Sequence, residues 1–322
     1  MSEVQKTRVT LLAGGVGGAK MAEGLAALDD IDLTIIGNVA DDDAFHDLWV
    51  SPDIDTLTYS LAGLIDRSKG WGVADEGNRA LDVLKTLGED TWMFLGDRDF
   101  GLHIYRTMRR GQGDRPSDIA ADVARAFGVG PKILLPTDDI VQTRLETDIG
   151  ELGFQDYFVR EQCKPDVSAL HYVGASKATP TDEALEALAL AEIIVVAPSN
   201  PVLSIAPILA IPGMTEALKA SSAHKIGVSP FIAGKVVKGP AAKVMASLGL
   251  RADSLGVAEQ YQGLIDILVI DDQDKALVGD IEALGIKAPS CDILMKDAED
   301  KKRLARQVMD WALSASCEGG AE

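Results

Sequence analysis

The chain has 322 residues, 47% of them hydrophobic, which suits one large α/β domain or two modest ones. Its formal net charge is −19, and such a surface excludes nucleic acid and anionic membranes as partners, because phosphate binding needs Lys and Arg side chains. No apolar run approaches the roughly 20 residues of a membrane span, and the N-terminus lacks the apolar segment of a signal peptide, so we expect a cytoplasmic location.

The first predicted elements are a strand, a glycine-rich turn and a helix. Val9–Leu12 has the pattern of a short buried strand, residues 13–20 are AGGVGGAK, and residues 19–28 carry apolar side chains at helical spacing. This geometry aims backbone N–H groups and a helix N-terminus at a phosphate. Neither standard fingerprint is complete, because Lys20 stands where a dinucleotide loop needs glycine and Met21 where a P-loop needs serine or threonine. We predict a nucleotide-phosphate loop of neither standard kind, with a structural tight turn as the alternative.

The second predicted strand, Leu33–Ile36, is followed by an acidic segment. Residues 38–56 contain six aspartates, which at the carboxyl end of a strand is typical of a site for a hard divalent cation and a phosphorylated substrate. A solvated acidic loop is the alternative. Trp49, Val50 and Ile54 are interleaved with the acids, so the segment must pack against the protein.

Strands and helices alternate along the rest of the chain. Further strands are predicted at 92–95, 133–135, 193–197, 225–228 and 267–270. Further helices are predicted at 55–65, 76–87, 116–127, 181–191, 241–248 and 297–315. The alternation predicts an α/β fold with a doubly wound, mostly parallel Rossmann-like sheet, and residues 1–322 forming a single domain. The less regular region, about 101–179, is expected to be an inserted α+β segment that covers the active-site crevice, with 154–159 as a lone strand or hairpin.

Polar turn residues follow four of the predicted strands. They are residues 96–99, 136–139, 198–201 and 229–230. Each taken alone is compatible with ordinary turn chemistry. Because the carboxyl ends of parallel strands meet at one edge of a sheet, we expect all four to converge on one ligand crevice with the glycine turn and the acidic segment.

Nine motifs, which together span nearly the whole chain, carry a resemblance to a known family. They are AGGVGGAK at 13–20, NVADDD at 38–43, SPDIDT at 51–56, RSKGWG at 67–72, LGDRDFGLHI at 95–104, LPTDD at 135–139, APSNP at 197–201, VSPFIAGKVVKGPA at 228–241 and GVAEQYQG at 256–263. With these motifs the chain resembles the 2-phospho-L-lactate transferases (LPPG:Fo transferases), which act in the biosynthesis of coenzyme F420. Asp43 departs from the family pattern as a third aspartate, and we do not expect it to be a ligand.

The resemblance implies a reaction and its participants. A three-carbon acid activated with guanosine diphosphate (GDP) donates its phospho-acid group to the ribityl hydroxyl of 7,8-didemethyl-8-hydroxy-5-deazariboflavin (Fo), and GMP is released. The acid is phospholactate, phosphoenolpyruvate or phosphoglycerate, and the sequence does not choose among them. Mg²⁺ is the expected cofactor, and a homodimer is the expected assembly.

The resemblance and the chemistry together indicate the metal and catalytic residues. The expected Mg²⁺ ligands are Asp41, Asp42, Asp53 and Asp55, since Mg²⁺ commonly uses one or two protein carboxylates with waters and phosphates. Asp42 and Asp55 are preferred and are also expected to be catalytic, whereas Asp53 or Asp55 can instead cap the helix that begins beside them. Arg98 is the third expected catalytic residue, because its fork suits the phosphate or carboxylate of the donor. An ion pair with a neighbouring aspartate is the alternative for Arg98.

Nucleotide contacts are expected from the glycine loop and from a later turn. The expected nucleotide-binding residues are Gly14, Gly15, Gly17, Gly18, Lys20, Ser199, Asn200, Asp53, Thr56 and Asp97. A solvated helix lysine is the alternative for Lys20, and a proline-flanked turn is the alternative for residues 199–200.

Aromatic and histidine side chains provide further candidates with two interpretations each. Trp49 and Trp71 are candidates to stack on the flat ring of Fo, with core packing as the alternative. His46 and His103 are each either a base or a hydrogen-bonded neighbour.

Two other functions compete with the transferase. One is an NAD-dependent oxidoreductase with Asp41 as the ribose-binding acid, which the incomplete glycine fingerprint and the crowded carboxylates disfavour. The other is a non-enzymatic sugar-nucleotide-binding regulator of the gluconeogenesis-factor-like branch. Asp55→Ala is expected to abolish transfer by an enzyme and to spare nucleotide binding by a regulator.

Overall fold

The structure is a computed structural model that describes residues 6–237 and 239–318, with side chains as far as Ser314. Its strands are β1 (Thr7–Ala13), β2 (Ile31–Gly37), β3 (Asp43–Phe45), β4 (Leu48–Val50), β5 (Lys132–Leu134), β6 (Gln142–Thr147), β7 (Gly150–Gly153), β8 (Val167–Val173), β9 (Ile193–Val196), β10 (His224–Val228), β11 (Phe231–Ile232), β12 (Lys235–Val236), β13 (Ile267–Asp271) and β14 (Ser290–Cys291). Its α-helices are α1 (Gly15–Ala26), α2 (Pro52–Leu61), α3 (Arg79–Thr86), α4 (Asp97–Gly111), α5 (Pro116–Ala126), α6 (Asp182–Leu190), α7 (Ala206–Leu209), α8 (Met214–Ala220), α9 (Ala241–Ser247), α10 (Ser254–Tyr261), α11 (Val278–Glu282) and α12 (Ala298–Glu318).

A seven-stranded sheet forms the centre of the protein, in the order β14-β13-β10-β9-β1-β2-β5. Its strand pairings are all parallel. Numbered within this sheet alone, the strands follow the 3-2-1-4-5-6 order of dinucleotide-binding folds, with one more strand at the edge. The predicted doubly wound, Rossmann-like sheet is confirmed. The strand order reverses between β1 and β9, and such folds bind ligands beyond the carboxyl ends of the strands at this point.

Helices cover both faces of the sheet because its strands are apolar on both sides. Side chains alternate between faces along a strand, so Val9 and Leu11 face α1, α2, α5 and α12, whereas Leu12 faces α6, α8 and α10. The apolar clusters on both faces hold the central strands in position, and the strands in turn position the loops at their ends.

Two predicted strands are wrong, although the other predicted strands are present in the central sheet. Residues 92–95 are not a strand: the Trp92 ring packs edge-on against Phe45 with ring centroids 5.6 Å apart, in a small cluster beside the β3–β4 hairpin. Residues 154–159 are helical, and Phe154 and Phe158 stack with centroids 5.6 Å apart and planes 7° apart. The four-residue spacing of the two phenylalanines is the helical signal that the prediction missed.

The region 101–179, predicted as an insertion, contributes to more than one part of the fold. It includes most of α4, all of α5 and also β5, which pairs with β2 in the central sheet. It also forms a separate antiparallel sheet in the order β7-β6-β8. Its role as a cover of the crevice stays a prediction.

Among the described residues, no single helix has the length and apolar character to cross a membrane. The segments Pro201–Leu209 and Met214–Ala220 reach that length and composition only as a pair, and the pair is bent by 86°.

Candidate functional site

A cavity of about 650 Å³ lies beyond the carboxyl ends of β1 and β9, at the point where the strand order reverses. Three of the four polar turns predicted to converge there line it, through Asp99, residues 198–200 and residues 229–230. The turn at 136–139 does not, because its side chains hold another segment: Thr137 Oγ1 donates to the Thr179 carbonyl at 2.6 Å, and Asp139 accepts from the Thr179 N–H at 2.7 Å.

The glycine loop packs so closely against its neighbours that side chains do not fit. A Cβ on Gly17 would lie 2.1 Å from the Pro198 carbonyl oxygen, and one on Gly14 would lie 2.6 Å from Asp53 Oδ2. Ser199 Oγ, in the turn after β9, donates to the Gly14 carbonyl at 2.7 Å. The loops after β1 and β9 therefore form one unit, and Gly14, Gly15 and Gly17 line the cavity, whereas Gly18 packs on Ala13 and Ser199 behind it.

Gly17→Ala is expected to weaken nucleotide binding by about tenfold or more, since the loops after β1 and β9 must separate to admit the methyl group and 1.4 kcal/mol of strain is tenfold in affinity. The measurement is GDP affinity by calorimetry. Gly279→Ala is the matched control, because a Cβ there meets nothing within 4 Å. Unchanged affinity of Gly17→Ala would contradict the predicted role of the glycine loop in nucleotide binding.

Two buried aspartates face the cavity and form no ion pair with a basic side chain of the described residues. Asp53 accepts from the Gly15 N–H at 2.8 Å and from Asn38 Nδ2 at 3.0 Å, and burial raises its pKa to about 6. Asp41 has a buried Oδ1 without a hydrogen-bond partner, and burial, with the nearby charges of Asp53 and Asp42, raises its pKa well above the ordinary value. A pair of desolvated, mutually repelling carboxylates with a free oxygen suits a divalent cation.

The two aspartates preferred from the sequence are engaged by the protein. Asp42 Oδ2 accepts from Ser51 Oγ at 2.6 Å and from Trp49 Nε1 at 3.2 Å, and its other oxygen has no partner. Asp55 lines the cavity and forms an ion pair with the buried Arg106 through two hydrogen bonds. Arg106 Nη1 donates to Asp55 Oδ2 at 3.1 Å, and Nη2 donates to Oδ1. Among the described residues no three His, Cys, Asp or Glu side chains are gathered as a metal site, so a cation here would rely on few protein ligands.

The metal-free protein is expected to lose stability as pH rises from 5 to 8. Burial raises the folded-state pKa of Asp53 to about 6 and of Asp42 to about 7, so the folded state favours the protonated acids. The stability they confer is fully present below the unfolded pKa of about 4 and is lost as pH rises through the folded pKa values of about 6 and 7. The part lost between pH 5 and 8 is about 4 kcal/mol. Denaturant unfolding in EDTA measures this, and Asp42→Asn should flatten the decline. A rise in stability over this range would contradict the burial of these acids.

The remaining predicted residues divide between the cavity and its surroundings. Lys20, Thr56 and Asn200 line the cavity, and Lys20 Nζ also donates to the Met295 carbonyl at 2.7 Å. Arg98 is exposed, donates to the Ala74 carbonyl at 3.2 Å and is not among the residues that line the cavity. Asp97 accepts from the Ala80 N–H at 3.0 Å at the start of α3.

Aromatic side chains form part of the cavity wall. Trp71 and Phe94 line it and share Lys69, whose Nζ lies 5.5 Å and 5.6 Å from their ring centroids. The stacked Phe154 and Phe158 also line it. Of the two tryptophans proposed from the sequence, Trp71 is at the cavity, whereas the guanidinium of Arg110 lies 4.2 Å from the Trp49 ring centroid.

A row of polar side chains, formed by Tyr59, Asp99, His103 and Arg106, lies between α2 and α4, and the sequence interpretation did not identify it as a group. Tyr59 donates to Asp99 at 2.8 Å, and Arg106 Nη1 lies 3.2 Å from His103 Nδ1. Tyr59, Asp99 and His103 line the cavity. The spacing of Asp99, His103 and Arg106, at i, i+4 and i+7, places them on one helix face and is the signal that identifies the row.

Comparisons with known proteins agree with this architecture. The family of 2-phospho-L-lactate transferase CofD matches residues 9–310. A phosphoenolpyruvate transferase of Streptomyces griseus subsp. griseus is 38% identical over 313 residues, which is 95% of this chain and 98% of the relative. A 2-phospho-L-lactate transferase of Methanopyrus kandleri is 37% identical over 306 residues, which is 94% of this chain and 96% of the relative.

A solved structure shares the fold at low sequence identity. The crystal structure of BH3568 from Bacillus halodurans, a member of the UPF0052 family, matches with a TM-score of 0.61 at 18% identity, over 95% of this chain and 100% of that chain. At this identity the match shows the common α/β fold alone.

Proposed function

The chain belongs to the 2-phospho-L-lactate transferase CofD family, and from this premise we propose that it moves a phospho-acid group from a GDP-activated three-carbon acid to Fo, with release of GMP, in coenzyme F420 biosynthesis. The hydroxyl oxygen of the acceptor forms a bond to the distal phosphorus, the bond to the bridging oxygen breaks, and the hydroxyl proton passes to a base or to solvent. Alignment and charge stabilisation carry such transfers. The observation that supports the proposal best is that a glycine loop, free carboxylates and aromatic walls share one cavity.

The donor's diphosphate fits the glycine loop. The first-turn N–H groups of Val16 and Gly17 have no acceptor within α1, and both residues line the cavity. Asn200 offers a further donor: its Oδ1 accepts from the N–H groups of Val202 and Leu203 at 2.9 Å and 3.1 Å, which orients the amide. Its Nδ2 is buried and has no hydrogen-bond partner within residues 6–237 and 239–318, and it suits an acceptor atom of the nucleotide.

Asp41 and Asp53 are the residues that would hold Mg²⁺, since both face the cavity and neither is paired with a basic side chain in the part of the chain that the structure describes. When bound, Mg²⁺ neutralises phosphate oxygens and favours ionisation of the attacking hydroxyl. Asp53 also accepts from Gly15, and it thereby couples the position of the carboxylate to the glycine loop.

The flat ring of Fo fits the aromatic wall. Trp71 and Phe94 on one segment, and Phe154 and Phe158 on another, provide the apolar faces that a deazaflavin ring needs. The ribityl chain would then extend from the ring toward the carboxylates and the donor's distal phosphate. A homodimer and a cytoplasmic location complete the proposal.

A mass-spectrometric transfer assay tests this function. Purified protein, Fo and Mg²⁺ are mixed separately with the GDP esters of lactate, enolpyruvate and glycerate, with reactions lacking Fo or containing EDTA as controls. The expected result is Fo that has gained a phospho-acid, with matched GMP release, from at least one donor. Tight GDP binding without product from any donor would overturn the proposed reaction.

A further inference from the structure

We propose that His103 is a catalytic hydrogen-bond donor, whose Nε2–H contacts a non-bridging oxygen of the phosphoryl group in transit, and that it is not the base for the attacking hydroxyl. The inference rests on the proposed phospho-acid transfer. The role of His103, which lines the cavity, follows from the contacts of its imidazole ring.

Arg106 fixes the tautomer of His103. Arg106 Nη1 lies 3.2 Å from His103 Nδ1, and a guanidinium can only donate. Nδ1 must therefore present its lone pair, and the ring proton must reside on Nε2. Asp55 Oδ2 is 3.9 Å from Nδ1, which is too far for a competing hydrogen bond.

Arg106 is itself held in this orientation. It forms the two-pronged pair with Asp55 and donates to the Trp49 carbonyl at 3.3 Å. Two of these three contacts are made by Nη1 itself, so its two hydrogens are shared among Asp55, the Trp49 carbonyl and His103 Nδ1. The guanidinium cannot rotate away from Nδ1 without breaking a buried ion pair. The neutral Nε2–H form is therefore built into the contact between α2 and α4.

The surroundings of the ring favour a neutral imidazole. Nδ1 faces a guanidinium that can only donate, so it cannot take up a second proton while the contact with Arg106 holds, and the ring stays neutral. A ring that cannot take up a proton is not the base for the hydroxyl. A neutral imidazole instead acts by donating a hydrogen bond to developing negative charge, as in the triosephosphate isomerase histidine.

The cavity gives Nε2–H a target. His103 lines the cavity, and its Nε2 has no hydrogen-bond partner among the described residues. Asp55, Tyr59 and Asp99, from the same two helices, also line the cavity, and carboxylates repel an anionic donor. A fixed neutral donor among carboxylates stabilises charge on a phosphoryl oxygen without a reorganisation cost. The proton acceptor for the hydroxyl is then a carboxylate or solvent.

Two amide variants distinguish the role of Nε2 from that of Nδ1. In His103→Gln the amide nitrogen reaches the position of Nε2, so a donor toward the cavity is kept. In His103→Asn the amide oxygen takes the position of Nδ1, so the acceptor for Arg106 is kept and the reach into the cavity is lost. We expect kcat of His103→Gln to stay within about tenfold of the wild type and kcat of His103→Asn to fall by about 100-fold or more, with KM for the donor little changed.

Each alternative gives a different pattern. A base would be lost equally in both variants, and a purely structural role would spare His103→Asn, which keeps the Arg106 contact; either pattern overturns the inference. Nitrogen-15 NMR of the histidine rings at pH 7 tests the tautomer without any turnover, and an Nδ1–H or doubly protonated ring would overturn it as well. Absence of product from the wild-type enzyme would instead count against the proposed reaction.

Discussion

Asp53→Asn is expected to lower the rate of transfer by about 100-fold or more while the protein stays folded. Asp53 is the carboxylate that joins the glycine loop to the proposed cation site, through Gly15 and Asn38. An amide keeps the shape and can still accept from the Gly15 N–H, but it removes the charge and the acceptor for Asn38 Nδ2. A bound divalent cation supplies several kcal/mol of charge stabilisation, where 1.4 kcal/mol is tenfold in rate. The measurement is kcat in the transfer assay as a function of Mg²⁺ concentration.

The control for Asp53→Asn is Asp32→Asn, at an exposed position in β2. GDP affinity measured in EDTA should change little in Asp53→Asn, because the glycine loop and Asn200 remain. Loss of GDP binding with the same severity as loss of turnover would make Asp53 a loop-positioning residue, and undiminished turnover would exclude it from the cation site.

Arg106→Met is expected to destabilise the protein by about 3–5 kcal/mol, because it leaves Asp55 as an unpaired buried charge. Both partners are buried, with side-chain exposures of 8% for Arg106 and 7% for Asp55. The double variant Asp55→Leu/Arg106→Met removes both charges and should recover most of the loss, since apolar replacements of a buried pair are often close to neutral. Denaturant unfolding of the single and double variants measures this.

The exposed pair Arg306–Asp30 is the matched control. It is also two-pronged, at 2.7 Å and 2.8 Å, but its side chains are 41% and 52% exposed. Arg306→Met should cost no more than about 1 kcal/mol, because water screens the pair. Equal losses in the two arginine variants would contradict the argument from burial.

The Asp55–Arg106 pair changes the meaning of one test suggested by the sequence. Asp55→Ala was expected to separate an enzyme from a regulator by abolishing transfer alone. Since the same change leaves Arg106 buried and unpaired, lost activity would also follow from lost structure. Asp53→Asn removes a charge that has no buried basic partner, and it therefore separates the two functions more cleanly.

Local patterns in the sequence were sufficient for the fold and for most of the loops that line the cavity. The alternating strands and helices predicted the Rossmann-like sheet, and residues 13–20 predicted the loop at its centre, because periodicity and turn chemistry act over a few residues. The errors at 92–95 and 154–159 arose where an apolar run packs in a cluster away from the central sheet, so that its hydrophobicity alone does not identify a strand.

The tertiary structure alone decided which carboxylates remain available to a ligand. The sequence placed Asp41, Asp42, Asp53 and Asp55 in one segment and favoured Asp42 and Asp55, the two that other side chains of the protein engage. Arg106 is 51 residues from Asp55 in the chain. The two form an ion pair only because α4 packs beside α2. Hydrogen-bond partners far apart in the chain meet through packing, and no short-range pattern encodes them; the same contact fixes the tautomer of His103 and leaves Asp41 and Asp53 facing the cavity.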